Sequence, residues 1–341
     1  LKRVFYFFLV CCLFSTNSVN GQDVAFSQYF SLPVLMNPAM AGTAYSPRFS
    51  IAYRNQWPSL GAGFNGGFVT YAGSYDQHFE KIKSGLGLWV SSDRIANGLM
   101  VSNNIGIDYS FQIRLSKKVG LRIGLEGSYT NKYVDWHQLL FSDQIDPLRG
   151  FYQSFRVPNN TQEITPSSFS KNIFDMGAGV LVFNGRYYGG FSISHLLRPK
   201  ESIIGGNEAS IPLKYSLHAG AIIPFKIRRV DDVYLSPNAL FVQQKNFSQI
   251  NVGMLLNVKF IYGGLWYRHN IRNSDAVIFL FGLRKGIFRA GYSYDLTVSK
   301  LIKKTGGTHE VTLTFNLGKN DNSLNPKNRK GILNCPEILK F

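Results

Sequence analysis

Three stretches of this chain alternate apolar and polar residues with a period of two. In the first, Ile105, Ile107, Tyr109, Phe111 and Ile113 interleave with Asn104, Gly106, Asp108, Ser110 and Gln112. In the second, Val119, Leu121, Ile123, Leu125 and Tyr129 interleave with Gly120, Arg122, Gly124, Glu126, Ser128 and Thr130. In the third, Val311, Leu313, Phe315 and Leu317 oppose Glu310, Thr312, Thr314 and Asn316. Period two puts the two sets on opposite faces of a β-strand. Weaker forms of the pattern recur near residues 49–56, 64–75, 85–92, 174–183, 186–195, 213–223, 232–243, 247–258, 260–270, 275–284 and 286–296. The reading is all-β, with about fourteen strands, an even number within the range of transmembrane barrels.

The connections sharpen this. Residues 131–173 and 196–212 are long, whereas 114–118, 184–185, 224–231 and 284–286 are short. Transmembrane barrels alternate long outer loops with short inner turns, and their strands alternate lipid-facing with lumen-facing residues. A large soluble β-array would also alternate, but nothing would require one face so apolar and the other so polar. The pattern therefore predicts a transmembrane antiparallel β-barrel over residues 48–318, with both ends of the barrel domain on the periplasmic side. Trp57, Trp89, Tyr133, Trp136, Trp266 and Tyr267 fall near strand ends, and amphipathic rings favour a membrane interface.

Composition is consistent with a barrel. The 341 residues are 45% hydrophobic and 14% aromatic, with 33 glycines, yet the mean hydropathy is only −0.06. Alternating faces average out in this way. The formal net charge of +17 raises the question of nucleic acid. The basic residues are dispersed and accompany no recognition motif, so nucleic acid is set aside. Outer-membrane lipid, lipopolysaccharide and acidic protein partners are the more natural counterparts.

The beginning of the chain predicts export. Lys2 and Arg3 precede an apolar run from Val4 to Phe14, and Val19 and Gly21 stand at the −3 and −1 places before Gln22. This is the pattern of a cleaved signal peptide over residues 1–21; the run is too short for a spanning helix, which needs roughly 20 residues. Its removal takes Cys11 and Cys12, leaving Cys335 as the last of 3 cysteines. One cysteine makes neither an internal disulfide nor a cysteine-type zinc site. Residues 22–47 then read as an ordered periplasmic N-terminal lead-in. Pro33 and Pro38 hold it extended, and Asn37-Pro38 and Gly42 supply turn chemistry. Residues 319–341, rich in Asn, Lys and Pro in their first half, read as a periplasmic C-terminal tail.

Catalytic signatures do not emerge. There is no phosphate-binding Gly-Lys-Ser/Thr loop, and His309-Glu310 lacks the second histidine of a zinc protease helix. His78 near Asp76 is the nearest acid–base pair, and a turn histidine with ordinary partners explains it better. No catalytic, cofactor-binding or metal-binding residue is assigned, and a non-enzymatic role is expected.

Several short motifs, in order along the chain, resemble the PorP/SprF family of type IX secretion proteins. They are Phe26-Ser27-Gln28-Tyr29, then Asn37-Pro38-Ala39 followed by Ala41-Gly42, and Arg54-Asn55-Gln56-Trp57. Gly190 to Leu196 follows, then Tyr292-Ser293-Tyr294-Asp295, His309-Glu310 and Cys335-Pro336. The resemblance implies an outer-membrane barrel of Bacteroidetes-type bacteria that works with other type IX secretion components. It further implies, for some members, a secretion or assembly role or a surface anchor for a secreted adhesin held by its C-terminal domain, including adhesins of gliding motility.

On that expectation the long outer loops are the partner surface. The first carries Trp136, Phe141, Phe151, Tyr152 and Phe155, residues of the kind that dominate protein interfaces. Arg114, Lys117, Lys118, Arg228, Arg229, Arg284 and Lys285 make the inner rim basic. The rival reading is a passive diffusion porin whose lumen, lined by Arg122, Lys214, Arg268 and Arg289, prefers anions. Large barrels leave a channel unless plugged, and the long loops or the lead-in are the candidate plugs.

Overall fold

The computed structural model describes Asp23 to Gly318, apart from residues 45, 60–66, 140, 146–151, 155–156, 159–160, 164–167, 203–209, 226–232, 271–272 and 299–304. The predicted signal peptide, the tail and Cys335 lie outside the described residues.

Fourteen antiparallel strands close into one barrel. In chain order they are β1 (Arg48–Gln56), β2 (Phe68–Phe79), β3 (Ser84–Ile95), β4 (Met100–Arg114), β5 (Gly120–Val134), β6 (Ser170–Phe183) and β7 (Tyr187–Ser194). There follow β8 (Lys214–Ala221, prolonged by Ile223–Pro224), β9 (Val233–Gln244), β10 (Phe247–Val258), β11 (Ile261–Asn270), β12 (Asn273–Lys285), β13 (Phe288–Thr297) and β14 (Thr308–Asn316). Each pairs with its neighbour in sequence, and β1 pairs with β14 from Arg48↔Asn316 to Gln56↔Thr308. Closure leaves no free sheet edge, so every spanning segment meets its backbone hydrogen bonds within the wall.

The burial pattern is that of a soluble protein turned inside out. On β1, Phe49, Ile51 and Tyr53 are exposed, whereas Arg48, Ser50 and Arg54 are buried. On β4, Ile107 is 61% exposed and Asp108 is 0%. Apolar residues outside and polar residues inside are what lipid on one side and a polar lumen on the other demand. Among the described residues no helix is long and apolar enough to cross a membrane.

The long connections lie at one end, across residues 135–169 and 195–213, as the loop lengths predict. That end also holds the tight Lys245-Asn246 turn, so it is not uniformly long. Two of the aromatic residues expected at the membrane interface face inward instead. Trp266 is 1% exposed in the lumen, and Trp89 lies over the lumen-facing Gly106, where a Cβ would fall on its indole. Trp266 packs against Phe30 of the segment that occupies the barrel interior.

Candidate functional site in the barrel lumen

Residues 23–44 run through the lumen. The sequence reading gave this segment as a periplasmic lead-in and named it, with the long loops, as a candidate plug; the wall closes around it. The reason is that its polar groups find partners on the inward faces of the strands. It folds as short turns: a 3-10 turn at Tyr29–Ser31, a helical turn at Pro33–Met36 and a 3-10 turn at Pro38–Met40. Each proline opens its turn, where a missing N–H costs nothing. Asn37 caps the last turn by accepting from the Ala39 N–H at 2.9 Å.

The segment descends from the long-loop mouth to the short-turn mouth. At the top Asp23 meets Lys214 at 3.0 Å and His195 at 2.8 Å, and Gln244 accepts from its backbone N–H at 3.2 Å. His195 also pairs with Asp175. Burial alone would raise the Asp23 pKa; Lys214 and His195 outweigh it and hold the carboxyl well below its usual range. Burial would lower the His195 pKa, but the hydrogen bonds to Asp175 and Asp23 raise it to about 9.

One level down, Ser27 is a hub. Its hydroxyl donates to Asp295 Oδ2 at 2.6 Å and accepts from Arg54 at 2.7 Å and Arg268 at 3.2 Å. Glu310 accepts the backbone N–H groups of Ser27 and Gln28 at 2.8 and 2.7 Å, and pairs with Arg54 at 2.9 Å. Arg268 joins Asp295 at 2.9 Å. The Gln28 side chain donates to Ser293 and accepts from Thr312. Phe30 then stacks on Trp266, centroids 5.6 Å apart, in a pocket with Leu240, Leu255 and Ile278. Burying such a ring contributes about 2 to 3 kcal/mol.

The lower half crosses the opposite wall. Asn37 donates to the carbonyls of Val180 and Phe191, and its amide faces His218 Nε2 at 3.0 Å. The segment presses so closely on β5 and β6 that only glycine fits beneath it. A Cβ on Gly124 would land on the backbone nitrogen of Ala39, and one on Gly179 on the Asn37 side-chain oxygen. Ser110 donates to the Ala41 carbonyl, and Asp76 accepts from Gly42 N–H at 2.8 Å. Arg48 grips that carboxylate with two nitrogens, at 2.8 and 2.9 Å.

These contacts re-sort the residues singled out in the sequence. Phe26 lies half-buried beside Leu32, at the edge of a second apolar cluster. Ser27, Gln28, Tyr29, Asn37, Pro38, Ala39 and Gly42 all belong to the lumenal segment, and Asp295 and Glu310 to its clamps. Tyr292, Tyr294 and His309 sit on the other face of the same wall, where the Tyr292 hydroxyl lies 2.8 Å from His309 Nδ1. Asp76 and His78 form no acid–base pair: Asp76 is held by Arg48, and His78 faces Arg122 at 3.2 Å. Lys214 and Arg268, read as pore-lining cations, are paired with carboxylates around the segment.

At the long-loop end, Trp136 packs on Phe141 and Phe169, with centroids 5.1 and 6.2 Å apart. Tyr152 lies in a small hairpin, Tyr152–Ser154 with Val157–Pro158. Phe151 and Phe155 lie outside the described residues. Sequence reasoning missed Asp23 and Asp175, which no pattern marks. It also missed Gly124 and Gly179 as crossing points, although glycines at lumen-facing positions of neighbouring strands were the available signal. Among the described residues no group of histidines, cysteines and carboxylates could hold a metal ion.

Among solved structures, a FadL homologue of Pseudomonas aeruginosa is 12% identical with a TM-score of 0.43, covering 83% of this chain and 93% of that one. A monoaromatic hydrocarbon channel, CymD, is 8% identical with a TM-score of 0.43, covering 88% and 96%. The KdgM porin is 7% identical with a TM-score of 0.37, covering 80% and 99%. No curated protein matches the chain. The family model for the type IX secretion system membrane protein PorP/SprF matches residues 18–315. The chain therefore belongs to the PorP/SprF family of type IX secretion system membrane proteins.

Proposed function

We propose that this barrel is a closed, non-enzymatic outer-membrane component of type IX secretion that serves a secreted adhesin as assembly factor or surface anchor. The adhesin's C-terminal domain docks on the long-loop face, and gliding motility is one process such an adhesin serves. The observation that carries this reading is the lumen. A diffusion pore needs a water-filled path, and here residues 23–44 run along that path; Asp23 of the segment pairs with Lys214, and Asp295 of the wall pairs with Arg268. What the molecule offers a partner is its outer end, where Trp136, Phe141 and Phe169 form an aromatic cluster of the kind that anchors interfaces.

Removing residues 146–160 from the outer loop tests the assignment in cells. The expected result is adhesin released into the medium while the barrel still assembles in the outer membrane. Adhesin retained at the wild-type level would reject the docking surface.

A further inference from the structure

The two mouths of the barrel differ in charge. At the long-loop mouth basic and acidic residues are mixed: Lys132 pairs with Glu201, Lys214 with Asp23 and Arg268 with Asp275, and exposed Asp143 and Glu163 accompany exposed Arg198 and Lys245. The short-turn mouth is different. Lys81, Lys83, Lys117, Lys118, Lys259 and Lys285 stand exposed in four of its turns, and Arg186 in a fifth. Glu80 is the exposed acidic residue among the described residues of these turns.

Each of these turns also carries an exposed apolar side chain. Ile82, Leu115, Tyr187, Phe260 and Ile287 are between 45% and 59% exposed. They sit in, or for Tyr187 at the strand edge of, the turns joining β2 to β3, β4 to β5, β6 to β7, β10 to β11 and β12 to β13. The pairing of one apolar with one or two basic side chains thus recurs around the barrel instead of gathering on one flank.

We propose that this rim is a seat for the anionic phospholipid headgroups of the leaflet it faces. The apolar side chain of each turn enters the acyl boundary, and the lysines beside it meet the phosphates. Basic side chains close to an anionic bilayer surface attract it, an effect that fades within a Debye length. The annular arrangement decides between partners: a headgroup layer surrounds the barrel on all sides, whereas an acidic protein would select one patch. The inference needs only the orientation of the barrel in the membrane and is independent of adhesin docking.

The test is lipid selectivity of the full chain reconstituted in phosphatidylcholine bilayers. Spin-labelled phosphatidylglycerol and spin-labelled phosphatidylcholine are compared by the immobilised fraction of each. The expected result is a preference of about fivefold for the anionic lipid at low salt, collapsing at high salt. Replacing Lys81, Lys83, Lys117 and Lys118 by Gln should abolish most of it, while K171Q/K245Q at the other mouth leaves it intact. If the fourfold variant does not assemble, K259Q/K285Q should reduce the preference in part. Equal association of both lipids with the unaltered chain would overturn the proposal. So would a preference that survives neutralisation of the short-turn rim, or one lost equally on neutralising the opposite mouth.

Discussion

Ser27 shows how much one small side chain can organise. Its hydroxyl joins Asp295, Arg54 and Arg268, and its N–H anchors Glu310. Glu310 is fully buried, so the pair with Arg54 was desolvated on folding. Such a pair adds little beyond a well-packed apolar alternative, but breaking it is expensive, because the remaining charge stays buried. Glu310→Gln should therefore destabilise the barrel by about 3 kcal/mol, read as a lowered urea midpoint in detergent with an unchanged slope. His195 makes a second prediction. Its folded pKa of about 9 exceeds the ordinary histidine value of 6.5, so its hold on Asp23 is complete below about pH 6.5. The hold weakens above that and is lost as pH rises through about 9. A spin label at Val24→Cys should be immobile at about pH 6 and mobile at about pH 10; His195→Gln should leave it mobile at both. Equal immobility at both values would show that the contact with Lys214 alone suffices.

At the scale of elements, the strands and the lumenal segment follow different rules. Each strand is written by a two-residue alternation, and all fourteen predicted segments have a counterpart in the structure. Their ends are another matter. The second strand was expected at 64–75 and runs over Phe68–Phe79, because the alternation blurs where the wall leaves the lipid. The lumenal segment has no periodicity, so its turns were legible from Pro33, Pro38 and Asn37, but its location was not fixed: the lead-in and the long loops were both candidate plugs. Its fit depends on glycines of β5 and β6. Gly124→Val should force the segment off the wall, exposing residues 37–42 to added protease in the folded barrel. Gly127→Val, on the same strand where a Cβ meets nothing within 4 Å, should leave cleavage at the wild-type level.

At the scale of the molecule, the closed wall and the filled lumen together define what the protein can do. Closure removes sheet edges, and the internal segment runs through the lumen that a barrel of this size otherwise leaves as a channel. Planar-bilayer recording gives the corresponding prediction. The intact chain should be electrically silent, and a chain lacking residues 23–44 should show steady conductance. Steady conductance of the intact chain would favour the porin reading instead.

The alternation along the chain by itself determined the wall: strand number, antiparallel order, which face meets lipid, and which end carries long loops. It could do so because a strand's two faces are fixed by local geometry alone. The scattered family motifs, by contrast, were legible only as names in order. That Ser27, Gln28, Arg54, Asp295 and Glu310 form one buried network was decided by closure of β1 on β14, which brings residues more than 250 positions apart into hydrogen-bond range. Contacts of that separation leave no periodic trace, because they depend on where a whole cylinder shuts and not on any neighbour in sequence.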